Sequence, residues 1–108
     1  MNLNIDWLEP WDAICTEPIS CEKELYNEVG KNHILLGKKV KAIGRRYDCD
    51  DVLFKLEGEE FKLVVVHLTY SNKIESNPNY PRTKVFKDID DWTQRCMIPD
   101  HSEYMVGE

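Results

Sequence analysis

The chain has no apolar run approaching the roughly 20 residues that a helix needs to cross a bilayer, so no membrane span is expected. Its first residues, MNLNIDWLEPW, lack a basic start followed by an apolar stretch, and no signal peptide is expected. No close C-x-x-C pair is present; Cys15, Cys21, Cys49 and Cys96 are scattered. Zinc sites and redox centres need closely spaced thiolates. Two disulfides would need an oxidising compartment. Free thiols and a cytoplasmic setting are therefore expected. There is no G-x-S-x-G elbow, so a triad of Ser71, His67 and Glu75 or Asp100 has no frame to hold its nucleophile. Asp48, Asp50 and Asp51 are too few and too tightly spaced for a calcium loop, and aspartate is favoured in turns anyway. No pair among His33, His67 and His101 has metal-ligand spacing. No catalytic residue, metal or cofactor is assigned; these absences lean against an enzyme and leave the question open.

What is present fits one domain. The 108 residues are 42% hydrophobic and 31% charged, ordinary values for a globular protein with a modest core. The formal charge is -6, unevenly spread: residues 1–30 carry a net -6, residues 31–87 a net +5, and residues 88–108 a net -5. A basic middle lies between acidic ends.

The patterning predicts an α+β domain, with a three- to four-stranded antiparallel β-meander flanked by N-terminal and C-terminal helices. Trp7, Leu8, Trp11 and Ile14 recur at helical spacing and predict a short helix or turn. Cys21, Leu25 and Val29 predict a helix over about Ile19 to Val29, with Glu22, Lys23, Glu24 and Glu28 facing water. Lys38 to Tyr47 reads as a first strand. Lys39, Lys41, Ile43 and Arg45 are expected on one face, with Val40, Ala42 and Gly44 on the other. Val52 to Glu57 alternates as a second strand, and Gly58 marks a hairpin turn. Phe61 to Tyr70 is a third strand, apolar on both faces over Leu63 to Val66, as a central strand covered on both sides requires. Thr83 to Phe86 is a short fourth strand. Asp88 caps a last helix with Asp91 at its third position and Ile89, Trp92 and Cys96 inward. Pro99 is expected to end it, leaving a weakly ordered tail over residues 100–108.

The strongest candidate site follows the third strand. His67 and Thr69 project from one face, joined by Ser71 if the chain stays extended. A polar row on a central strand must be satisfied or offered to a ligand. The loop of about a dozen residues that follows holds Glu75, Tyr80 and Arg82. Imidazole, hydroxyl, phenol and guanidinium groups can together orient a small ligand. A weaker candidate is the basic strand face, Lys39, Lys41 and Arg45, for an anion or nucleic acid. Against nucleic acid stand a pI of about 5.1 and a strand whose only ring is Tyr47. Trp7, Trp11 and Trp92 are expected first as core anchors, with one of them partly exposed, Trp7 or Trp11 sooner than Trp92.

The runs DDVLFKLEGEEFKLVVVHLTYS, YPRTKVF, DIDDW and MIPDHSEY resemble a group of small uncharacterised bacterial proteins, over roughly Glu24 to Tyr104. The resemblance implies a single bacterial cytosolic domain and carries over no site residue. The functional expectation is a protein-interaction module, an immunity- or inhibitor-like binder of a basic partner, monomeric or weakly dimeric. The alternative is a small-ligand binder or minor enzyme with a pocket around His67, Thr69 and Arg82.

Overall fold

The computed structural model describes residues 5–14, 18–30, 35, 37–49, 51–58, 62–68 and 82–106. Five strands form one antiparallel sheet in sequence order: β1 (Trp11–Ala13), β2 (Val40–Arg46), β3 (Asp51–Leu56), β4 (Leu63–His67) and β5 (Thr83–Phe86). Helix α1 (Pro18–Glu28) lies between β1 and β2 in the chain. A C-terminal helical segment follows β5: α2 (Ile89–Trp92), a π-helical stretch (Thr93–Met97) and α3 (Ile98–Val106). Among the described residues, no helix is long and apolar enough to cross a membrane. The α+β class holds, with one strand more than the meander read from sequence.

The extra strand is β1, where helical spacing predicted a short helix or turn. Trp11 and Ala13 point toward the sheet interior and Asp12 outward, a period of two. Tertiary contacts override the local pattern. Trp11 pairs with Arg46 in the ladder, and its indole, 1% exposed, meets Trp92 edge-on at 5.3 Å. Trp7 also packs edge-on against Trp92, at 5.8 Å, and is only half-buried. Of the three tryptophans, Trp7 is the partly exposed one, and Trp11 and Trp92 are core residues.

Each sheet face carries its own core. One joins Cys21, Leu25 and Val29 of the α1 region to Val52, Phe54, Val64 and Val66. The other joins Trp92, Cys96 and Met97 to Trp11, Leu53, Leu63, Val65 and Phe86. β3 and β4 are therefore apolar on both sides, as expected of strands covered on both faces. The Glu57–Gly58 turn follows β3, with Gly58 at φ 81°, a conformation glycine adopts without strain.

A β-bulge between Ala42 and Gly44 breaks the simple alternation of β2. Lys41 stands opposite Lys55 and Arg45 opposite Val52, so the bulge puts them on opposite faces. Gly44 joins Ile43 on the C-terminal-helix side, where a Cβ would collide with the Trp7 indole. Because β1 spans only three residues, part of the β2 edge has no strand beside it among the described residues. Side chains of α1 take its place. Glu22 Oε2 accepts from the Ala42 N–H at 3.0 Å, and the Tyr26 hydroxyl from the Val40 N–H at 3.2 Å.

The acidic face expected on α1 is thus partly inward. Glu22 and Glu24 are half-buried, and Glu28 is 1% exposed. A hydrogen bond to Glu28 raises the Glu24 carboxyl to about 7, helped by burial and the Glu28 charge. A carboxyl held protonated by the fold stabilises it at low pH. That contribution is lost progressively as pH rises from 4.5, where the unfolded chain ionises, to about 7, where the folded one does. Glu24→Gln is expected to flatten this fall. Melting curves of both proteins between about pH 5 and pH 8 check it; parallel profiles would refute the assignment.

The C-terminal helix starts as predicted. Asp88 Oδ1 accepts from the Asp91 N–H at 2.7 Å, and Asp91 Oδ2 accepts from the Lys87 N–H at 3.0 Å, a reciprocal cap. Pro99, however, does not end it; residues 100–106, expected as a weakly ordered tail, are helical. A proline ring clashes with the carbonyl four residues earlier in an α-helix. Here the preceding turn is π-helical, with the Ile98 N–H donating to Thr93 five residues back, and the wider turn relieves that clash.

Candidate functional site

The ladder aligns a row of side chains across the sheet at one end. Trp11 stands opposite Arg46. The pair Arg45–Val52, carried one residue further, brings Arg46 beside Asp51. Asp51 stands opposite His67, and the His67 backbone N–H donates to the Arg82 carbonyl at 2.9 Å. These residues share the face covered by the C-terminal helix. One pair further in, the same face is apolar, with Leu53 beside Val65. The row is where that core stops.

Two networks hold it. His67 Nδ1 lies 2.7 Å from Asp51 Oδ1. A carboxylate only accepts, so Nδ1 carries the proton and Nε2 is the nitrogen left to face a ligand. The imidazole is 52% exposed. At the other end, Asp100 of α3 gathers three partners. Its Oδ2 accepts from Trp11 Nε1 at 2.8 Å and from the Cys96 thiol at 3.4 Å. Its Oδ1 lies 3.4 Å from Arg46 Nη1. Asp48 takes Nε and Nη2 of the same guanidinium, at 2.7 and 3.2 Å.

Between these networks opens a cleft of about 720 Å³. Arg46, Asp51, His67, Arg82 and Lys84 line it from the sheet side, and Arg95, Cys96 and Asp100 from the helix. Its size is within the usual range of small-molecule sites, roughly 300–1,000 Å³. Arg95 stands over the Phe86 ring at 5.1 Å, and its Nη1 lies 3.2 Å from both Asp91 oxygens. The Cys96 thiol is pushed up to about 12 by burial and by the charge and hydrogen bond of Asp100. It stays protonated near neutrality, so it offers no nucleophile.

Of the residues singled out in sequence, His67 and Arg82 meet in this cleft. Thr69, Ser71, Glu75 and Tyr80 lie outside the described residues. Lys39, Lys41 and Arg45 do not form the single basic face expected of them, because of the bulge. Asp51, Lys84, Arg95 and Asp100 also line this site; sequence reasoning missed Lys84 and Arg95, and weighed Asp51 and Asp100 only for a calcium loop and a triad that it set aside. Locally, Asp51 reads as a turn residue and Asp100 as tail. The usable signal was the Arg46-to-Asp51 turn, whose short span forces its two flanking residues to face each other.

No family model, curated protein or solved structure matches the chain. Residue roles therefore rest on this geometry.

Proposed function

We propose that this protein binds a small molecule in the cleft between the sheet and the C-terminal helix. The observation that carries the reading is that His67 and Arg82, from adjacent strand ends, line one cleft with Asp51, Lys84 and Arg95. Recognition sites combine a preformed cavity with a few convergent polar groups, and this cleft has both. The ladder fixes the backbone positions of Asp51 and His67, and Asp100 fixes the helix wall, so little ordering would be needed on binding. A cytoplasmic setting fits the free thiols of Cys21, Cys49 and Cys96.

The alternative, an acidic module for a basic partner, draws less support from the described residues. Glu22, Glu28 and Asp100 are turned into the fold rather than presented outward.

Titrating the ¹⁵N-labelled protein with a fragment library tests the cleft. Hits are expected to shift the amides of Asp51, Lys84 and Arg95 together. Hits confined to other surfaces would overturn the reading, as would a library with no hits.

A further inference from the structure

The charges of the cleft narrow the chemistry of its ligand, provided the small-molecule reading holds. Four basic side chains line it, Arg46, Arg82, Lys84 and Arg95, against two carboxylates, Asp51 and Asp100. Both carboxylates already face internal partners. Asp51 holds His67. Asp100 holds Trp11, Cys96 and Arg46, and Asp48 takes the remaining edge of that guanidinium. Two of the basic side chains are less compensated, Lys84 on the sheet side and Arg95 on the helix. The Lys84 side chain is exposed and makes no hydrogen bond or ion pair among the described residues. Arg95 engages Asp91 through Nη1 and is 63% exposed. Its stacking on Phe86 holds the guanidinium plane at the mouth.

We infer that the cleft takes a phosphomonoester, its phosphate held by Arg82, Lys84 and Arg95.

Three arguments favour a phosphate over other groups. A phosphomonoester carries about -1.5 to -2 charges near neutral pH and three acceptor oxygens, matching several cations on more than one wall. A carboxylate is planar and is satisfied by one guanidinium fork, which would leave Lys84 uncompensated. The cleft is also larger than a bare phosphate needs, leaving room for an organic portion. A nucleic-acid strand is disfavoured. Strand binding relies on open aromatic faces, and the Phe86 ring is covered by Arg95 and 2% exposed.

Calorimetric titration of the full chain at constant ionic strength decides this. The ligands are phenyl phosphate, benzoate and a short oligothymidylate. Phenyl phosphate is expected to bind, and benzoate to bind at least about tenfold more weakly, the loss of one charge-assisted contact. Lys84→Gln and Arg95→Gln should each weaken phenyl phosphate by about tenfold to a hundredfold. Both side chains are exposed, so melting temperatures should hold, and Lys84→Arg should retain binding. Benzoate equal to phenyl phosphate would overturn the inference, as would oligothymidylate binding more tightly than either. If fragments shift the cleft amides but phenyl phosphate does not bind, the phosphate assignment fails and the cleft reading stands. If neither fragments nor phenyl phosphate engage these residues, both fail.

Discussion

Trp92→Ala is expected to remove about 3–5 kcal/mol of folding stability, the usual cost of truncating a fully buried tryptophan. Trp92 is 0% exposed and is the residue on which two other indoles converge, Trp7 at 5.8 Å and Trp11 at 5.3 Å. Edge-to-face pairs of this kind add about 0.5–1.5 kcal/mol each beyond area burial. A domain of this size has only about 5–15 kcal/mol in all, so the variant should be partly unfolded at moderate temperature. Trp92→Phe is the informative partner. The Trp92 Nε1 is buried and has no hydrogen-bond partner among the described residues. Phenylalanine removes that donor, whose unmet desolvation costs about 1–3 kcal/mol, while keeping an aromatic ring between the other two. Urea unfolding of the three proteins should therefore place Phe far nearer to wild type than to Ala. A phenylalanine variant as unstable as the alanine one would show that volume alone matters here.

Asp100→Ala should cost about 2–3 kcal/mol by orphaning buried donors and should also change the cleft. Trp11 Nε1 would lose its acceptor inside the core, and Arg46 would lose one of its two carboxylates. Asp100→Asn keeps an acceptor oxygen for Trp11 and should fall between the two. The carboxylate also helps hold the Cys96 thiol at about 12. Its loss should lower that value, and faster labelling of Cys96 by a thiol reagent under native conditions would report it. Asp100 is one of the two carboxylates lining the cleft. The alanine variant should accordingly bind phenyl phosphate more tightly while folding less stably. Unchanged stability would remove Asp100 as the clasp between helix and sheet; weaker phosphate binding would count against the charge reading of the cleft.

How far the site was legible follows from which residues make it. His67 stands out because a polar side chain ends an apolar strand, a signal local to five residues. Arg82 stands out because it closes the loop leading to the next strand. Asp51 and Asp100 carry no such signal. An aspartate beside a turn has an ordinary local explanation, and only the register Asp51–His67 gives it another. Asp100 follows a proline in an acidic terminal segment. Its role depends on Trp11, 89 positions away in the chain. Lys84 and Arg95 read as solvated charges unless the helix is known to rest across β5.

Periodicity and capping chemistry alone determined the elements whose stability is local. The position of β3, the two-sided apolar run of β4, the Cys21–Leu25–Val29 stripe of the α1 region and the Asp88 cap all appear where the residues predict them, although β3 is covered on both faces rather than half-buried. These signals survive because each depends on neighbours within a turn or a strand. Only the tertiary structure decided β1, the bulge in β2, the helix beyond Pro99 and the joining of His67 to Arg95 in one cleft. For β1 and the cleft, packing or hydrogen bonding with residues distant in sequence outweighed a local preference of about a kilocalorie or less per residue; beyond Pro99 it was the π-helical turn before it that let the helix continue. Trp11 entered the sheet because Trp92 and Arg46 offered burial and a ladder that a short isolated helix could not.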